Sequence, residues 1–187
     1  MPQLLQEVVA SVVLTDVQGF IALGENLGPV ELGVALSAFY AHVGGIGEKH
    51  GGRIVKLVGD GVMIGFVGMK DHCDRALAAV AEMSGRREAW LADNAKIKLP
   101  RLDYTASAAS GEMLVGELGT DRVRFWDMLG APVTLAFKLC QLAGDRGIAN
   151  LIDAATIENA GAEAKQSAIE VEGAKLGRAR HRLFQIK

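Results

Sequence analysis

Val8 to Thr15 is an almost unbroken apolar run rich in β-branched residues, and it predicts a buried central strand that stops at Asp16-Val17-Gln18-Gly19-Phe20. From Pro29 the apolar positions change period: Val30, Leu32, Leu36, Phe39, Val43 and Ile46 fall close to helical spacing. Glycines at 33, 44, 45 and 47 weaken the C-terminal end of that helix, and Gly51-Gly52 ends it. Arg53 to Val58 and Val62 to Val67 then read as two strands around Gly59-Asp60-Gly61, a strong hairpin signal.

Asp71 to about Asp93 predicts a second long helix, with Asp71 as its N-cap and Leu77, Val80, Met83 and Trp90 on one side. Arg101 to Ser110 and Glu112 to Leu118 form a strand pair across Gly111, and Arg122 to Leu129 a shorter strand. Pro132 fits a first helical turn, and its helix runs to about Leu142. A strand at Ile148 to Ile152, a short helix around Ala154 to Asn159 and a final strand pair near Ile169 and Leu183 complete the chain. Strand–helix–hairpin–helix–strand order implies an α/β (α+β) fold with a ferredoxin-like βαββαβ core, in which one mostly antiparallel sheet is covered by helices mainly on one face. No long polar linker divides residues 1–187, so a single domain is expected.

Composition narrows the function classes. The 187 residues are 50% hydrophobic and 22% charged, which excludes a disordered polymer, and a net charge of −2 gives no electrostatic footprint for nucleic acid. Cys73 and Cys140 stand far apart, so neither a disulfide framework nor a cysteine metal site is expected, and a reducing compartment is the default. No Lys or Arg precedes Lys49 and no uninterrupted apolar run approaches membrane-spanning length, so the expectation is a cytoplasmic protein with no membrane partner. Charge is nevertheless uneven: Met1 to Glu48 is acidic, whereas the stretch from Gly173 is basic through Lys175, Arg178, Arg180, Arg182 and Lys187.

Two acidic turns carry candidate chemistry. Asp16 follows the buried strand, and Asp60 sits at the hairpin tip between glycines. Each alone has an ordinary explanation, Asp60 as Asp-Gly turn chemistry and Asp16 as a helix cap. If the strand lies beside the hairpin, the carboxylates converge at one end of the sheet, next to a glycine-containing turn with free N–H groups. That arrangement suits Mg²⁺ carrying a polyphosphate. The histidines at 42, 50, 72 and 181 have no metal partner at useful spacing.

Val12-Val13-Leu14-Thr15-Asp16-Val17-Gln18-Gly19-Phe20, followed by His50-Gly51-Gly52-Arg53-Ile54-Val55-Lys56-Leu57-Val58-Gly59-Asp60-Gly61-Val62-Met63, closely resembles the class III nucleotidyl cyclase catalytic domain. The likeness continues through Ser110 to Gly119 and Phe125 to Ala136, in order and at family-like separations, over nearly the whole chain. The resemblance implies two domains paired head-to-tail as a homodimer, with sites at their shared interface. It makes Asp16 and Asp60, with the carbonyl of Val17, ligands for two Mg²⁺ or Mn²⁺ ions. The turn Val17, Gln18, Gly19, Phe20 and Ile21 would offer backbone N–H groups to the β- and γ-phosphates of a nucleoside triphosphate. Lys56 and Asp127 match the base-reading pair. Adenine presents an acceptor at N1 and a donor at N6, which a Lys donor and an Asp acceptor complement, whereas guanine reverses both. ATP and 3′,5′-cyclic AMP are therefore favoured; cytosine shows the same donor–acceptor order and differs in size.

Two departures stand out. Where the resemblance implies an Asn and, one turn later, an Arg that stabilise the transition state, this chain has Thr134 and Lys138. Thr lacks the amide donor, and Lys keeps the charge without the planar fork. Lys175, with Arg178 as a competitor, falls where the family brings a basic residue to the triphosphate. Two readings remain open: a slow adenylate cyclase, and a non-catalytic cyclase-homology domain that binds nucleotide or a regulatory protein partner.

Overall fold

The computed structural model describes residues 5–96, 99–177 and 179–187. One sheet runs in the order β2-β3-β1-β4-β6-β8-β7, with β5 paired to β4 off that path. The strands are β1 (Gln6–Val17), β2 (Arg53–Val58), β3 (Gly61–Phe66), β4 (Tyr104–Gly119), β5 (Arg124–Leu129), β6 (Asn150–Asp153), β7 (Ala168–Leu176) and β8 (Ala179–Ile186). All pairings are antiparallel except β4 with β6. The helices are α1 (Phe20–Asn26), α2 (Pro29–Lys49), α3 (His72–Lys96), α4 (Ala131–Asp145), α5 (Ala154–Glu158) and α6 (Ala162–Ser167). This is the mixed, mostly antiparallel sheet that the strand order implies.

β1 is central because its residues are apolar on both faces. Val13 and Val17 join α2 and α3 in one core, which holds Phe39, Val43, Leu77, Val80 and Met83. Ala10, Val12 and Leu14 face the opposite way, onto Val133, Ala136 and Cys140 of α4. Full burial of a side chain such as Phe39 or Val43 contributes about 1.5–3 kcal/mol, so the helical patterning of α2 and α3 sets which of their faces lies on β1. The two long helices share the expected face, while α4 lies on the other. On length and composition alone α2 could cross a membrane; here its buried stripe lies on the sheet.

Three local expectations change. The glycines of α2 do not end it early: a Cβ at Gly44 would meet Ile54 Cδ1 at 2.8 Å and one at Gly47 would meet Ile64 Cδ1 at 2.6 Å. They let the helix lie close on the hairpin. Gly111 does not turn the chain either. Tyr104–Gly119 is one continuous strand, with Gly111 opposite Ala10. Its missing side chain admits the Pro132 ring, 3.1 Å from where a Cβ would stand. Finally, α1 and α6 were not legible, because neither buries a residue and so neither leaves an apolar period.

Candidate functional site at the acidic end of the sheet

Asp16 sits two residues beyond Leu14 on β1, on the side of the sheet that faces α4. It pairs with Gly61 on β3, immediately after Asp60. The hairpin therefore brings the second carboxylate to the end of the first strand. Two further side chains hold that arrangement. The Thr15 hydroxyl accepts from the Val62 N–H at 3.2 Å, tying β1 to the hairpin from within. Tyr40 reaches from α2 and donates to the Gly59 carbonyl at 2.5 Å, bracing the tip. Tyr40 had no sequence signal, since its helical position reads as ordinary packing.

The electrostatics of the pair are unfavourable as they stand. Burial and then the charge of Asp60 push the Asp16 carboxyl up to about 6. Burial also raises Asp60, against a backbone hydrogen bond that lowers it, and its charge adds to burial in raising the Tyr40 phenol. Among the described residues no Lys, Arg or His salt bridge reaches either carboxylate. Nor does a third His, Cys, Asp or Glu complete a metal cluster among them. Two half-buried oxygen donors without a cation fit a hard divalent ion, whose further ligands would be backbone carbonyls, phosphate oxygens and water.

The turn after Asp16 is narrower as an anion cradle than the motif suggests. Val17 is buried and paired with Tyr104. The Gln18 N–H is already donated to the Asp103 carbonyl at 2.7 Å, and the Gln18 side chain donates to the Thr105 hydroxyl at 3.1 Å. Gly19 takes a left-handed φ of 69°, at little steric cost for glycine, and its carbonyl accepts from Leu23. Gly19, Phe20 and Ile21, which open α1, are thus the part of the turn left to meet phosphate oxygens.

Lys56 and Asp127 do meet. The ammonium donates to Asp127 Oδ2 at 2.7 Å, while Oδ1 accepts from the Met128 N–H at 2.8 Å. Lys56 follows an irregularity in the β2–β3 register between Ile54 and Lys56, which re-aims the strand. Its partner Met63 opposes Leu14 on β1, so Lys56 stands over the same sheet face as Asp16.

Thr134 and Lys138 lie one turn apart on the exposed side of α4, lining a cavity of about 490 Å³ with Leu176 and His181. The Thr134 hydroxyl has only a long contact, 3.5 Å, to the Gly130 carbonyl. The structure does not bring Lys175 there. Ala174 and Leu176 pack on the α4-side cluster with Leu139, so strand alternation turns Lys175, opposite Arg180, to the other face. His181, opposite Ala174, occupies the cavity wall instead. Arg178 lies outside the described residues. Cys73 and Cys140 are both buried, and burial pushes the Cys140 thiol up to about 12, which leaves it inert.

Comparisons with known proteins bear on the family and the fold. Over residues 4–185 the chain matches the model of the adenylate and guanylate cyclase catalytic domain. An uncharacterized protein of Mycobacterium tuberculosis is 29% identical over 138 residues, covering 72% of this chain and 24% of that protein. A second from the same organism is 29% identical over 158 residues, covering 79% and 27%. The chain thus spans about a quarter of the length of these curated relatives. Among solved structures, the adenylyl cyclase CyaB from P. aeruginosa superposes with a TM-score of 0.83 at 22% identity, over 98% of this chain and 96% of that one. The guanylyl cyclase Cya2 gives 0.82 at 21%, over 100% and 94%, and a bacterial light-regulated adenylyl cyclase 0.86 at 19%, over 98% and 52%. The chain belongs to the adenylate and guanylate cyclase catalytic domain family.

Proposed function

We propose that the chain is a nucleotidyl cyclase that converts ATP to 3′,5′-cyclic AMP and pyrophosphate, with sites shared between two copies. The observation that carries this reading is the Asp16–Asp60 pair, two like charges held together by register and with no salt-bridge partner among the described residues. Asp16, Asp60 and the Val17 carbonyl would hold Mg²⁺ or Mn²⁺. Such ions supply Lewis acidity for the ribose 3′-hydroxyl and charge neutralisation for the leaving pyrophosphate.

The chain's own groups position the reactants. Gly19, Phe20 and Ile21 offer N–H groups to the phosphates. Lys56 from the other copy donates to adenine N1, and Asp127 accepts from N6, replacing the contact these two make with each other. Lys138 sets a positive charge beside the triphosphate. The 3′-oxygen then bonds to the α-phosphorus, the bond from that phosphorus to the α–β bridging oxygen breaks, and the hydroxyl proton passes to solvent. A head-to-tail partner is favoured by the open base-reading edge, where Leu57 is 52% exposed and Phe125 68%.

The test is incubation of purified protein with ATP, GTP, CTP and UTP in Mn²⁺, followed by chromatography. Cyclic AMP as the main product is expected; no cyclic nucleotide at micromolar protein overturns the reading. A second reading, nucleotide binding without turnover, is favoured by Thr134, whose short side chain lacks the amide donor and makes only a long contact, 3.5 Å, to the Gly130 carbonyl. Saturable ATP–metal binding in calorimetry with no product would select it.

A further inference from the structure

β5 hangs from the sheet by one neighbour, β4, yet it carries half of the base-reading pair. Three successive β5 residues reach across to the β2–β3 hairpin. Asp127 accepts from Lys56, and the Met128 sulfur fills the space beside Gly65 that a larger residue would take. Trp126 lies under the Arg53 guanidinium, whose central carbon is 4.1 Å from the ring centroid. Arg53 and Lys56 stand three residues apart on β2, just as Trp126 and Asp127 adjoin on β5. Arg53 and Trp126 border a separate cavity of about 280 Å³ with Gln6, Gly65 and Val115, and Lys56 and Asp127 do not line it.

We propose that Arg53 and Trp126 form a clamp that holds β5 in register while a nucleobase parts Lys56 from Asp127, making them positioning residues that set nucleotide selectivity. This rests on the cyclase reading above. When the base enters, the 2.7 Å tie is replaced by contacts to the base, and besides its β4 ladder the arm keeps only its other two ties to the hairpin. A guanidinium held over the ring resists the sliding that a lone Met side chain permits, because the cation is attracted to the ring's π face. Without it Asp127 swings, and the acceptor that distinguishes the adenine amine from the guanine carbonyl blurs. The selectivity then depends on a residue that touches no substrate.

The experiment compares wild type, Arg53→Gln, Arg53→Lys and Trp126→Phe. Calorimetry measures ATP and GTP binding, initial rates give kcat and KM for each, and Trp126 emission is read in a Trp90→Phe background. In Arg53→Gln we expect Trp126 emission to shift to the red, and the ATP-over-GTP ratio of kcat/KM to fall about five- to tenfold, mainly through KM for ATP. Arg53→Lys should recover part of the ratio and Trp126→Phe most of it, since both keep a cation over a ring. A purely structural role would lower the Tm and both nucleotides' rates together, leaving the ratio unchanged. An unchanged ratio in an enzyme that binds ATP overturns the clamp and leaves the function standing. Failure of wild-type protein to bind any nucleotide overturns the cyclase reading, and the clamp's role in selectivity with it.

Discussion

The acidic end of the sheet and the base-reading edge each hold a pair of charged side chains, but their electrostatics are opposite. At the edge, Lys56 and Asp127 neutralise each other at 2.7 Å and remain partly in solvent. At the acidic end, burial and then the charge of Asp60 push the Asp16 carboxyl up to about 6. A protein selected for stability alone would not place two such groups on adjacent strand ends, so the strain there points to a ligand. The edge carries no such argument, since its pair satisfies itself and means something only in its sequence context.

The sharpest way to break the comparison is to remove one of the repelling charges. Asp16→Asn or Asp60→Asn should cut turnover by about 10²–10³, because the remaining carboxylate cannot hold two divalent ions against the triphosphate. The same Asp16→Asn change should stabilise the metal-free protein by about 1–2 kcal/mol, a shift in Tm readable by calorimetry. Loss of activity together with loss of stability would mean that the pair is structural.

The α4 side supplies the next effect. Thr134→Asn with Lys138→Arg restores the amide and the planar fork on the exposed face of the helix. An increase in kcat of about tenfold or more is expected, with KM for ATP little changed, since these groups act on charge that develops during reaction. Unchanged kcat in the double variant would place the limitation elsewhere, for example at His181 on the facing strand.

The contrast also marks what could be read in the chain. The almost unbroken apolar run of β1 and the glycines flanking Asp60 announce both carboxylates, because strand burial and tight turns leave strong local patterns. Their convergence follows from register, which sets Asp16 opposite Gly61. By contrast, the status of Gly111 depended on the Pro132 ring packed over it, and the orientation of Lys175 depended on a strand pairing that shifts register between Val171 and Ala174. Both are tertiary facts with no local signature. Tyr40, Thr15 and the Arg53–Trp126 contact belong to the same class: each supports the site from an element whose own pattern reads as packing or surface.

A third effect separates the two regions by pH. Because Asp16 is raised from 3.8 to about 6, the folded protein binds more protons than the unfolded chain between those values. Its contribution to stability is therefore fully present below about pH 4 and is lost as pH rises through 6. In metal-free protein this should appear as a fall in stability of about 1–2 kcal/mol across that window, after allowance for solvent screening. Asp16→Asn should flatten it. If the slope persists in the variant, another group is responsible, and the pair is less coupled than its geometry implies.

The smallest effect tests how the acidic end is held. Tyr40 donates to the Gly59 carbonyl, one residue before Asp60, so it fixes the hairpin tip without touching a ligand. Tyr40→Phe keeps the ring against Phe39, whose centroid is 6.0 Å away, and removes only the hydroxyl. One hydrogen bond at a partly exposed site contributes about 0.5–1.5 kcal/mol, so the loss in Tm should be slight. The readout that matters is metal affinity: the Mn²⁺ concentration for half-maximal rate should rise about threefold while kcat at saturating Mn²⁺ stays near wild type, because bound ions re-impose the geometry that the phenol had held. A change in kcat with no change in Mn²⁺ dependence would show that Tyr40 serves the chemistry rather than the shape of the turn, and the two carboxylates would then owe their proximity to the strand register alone.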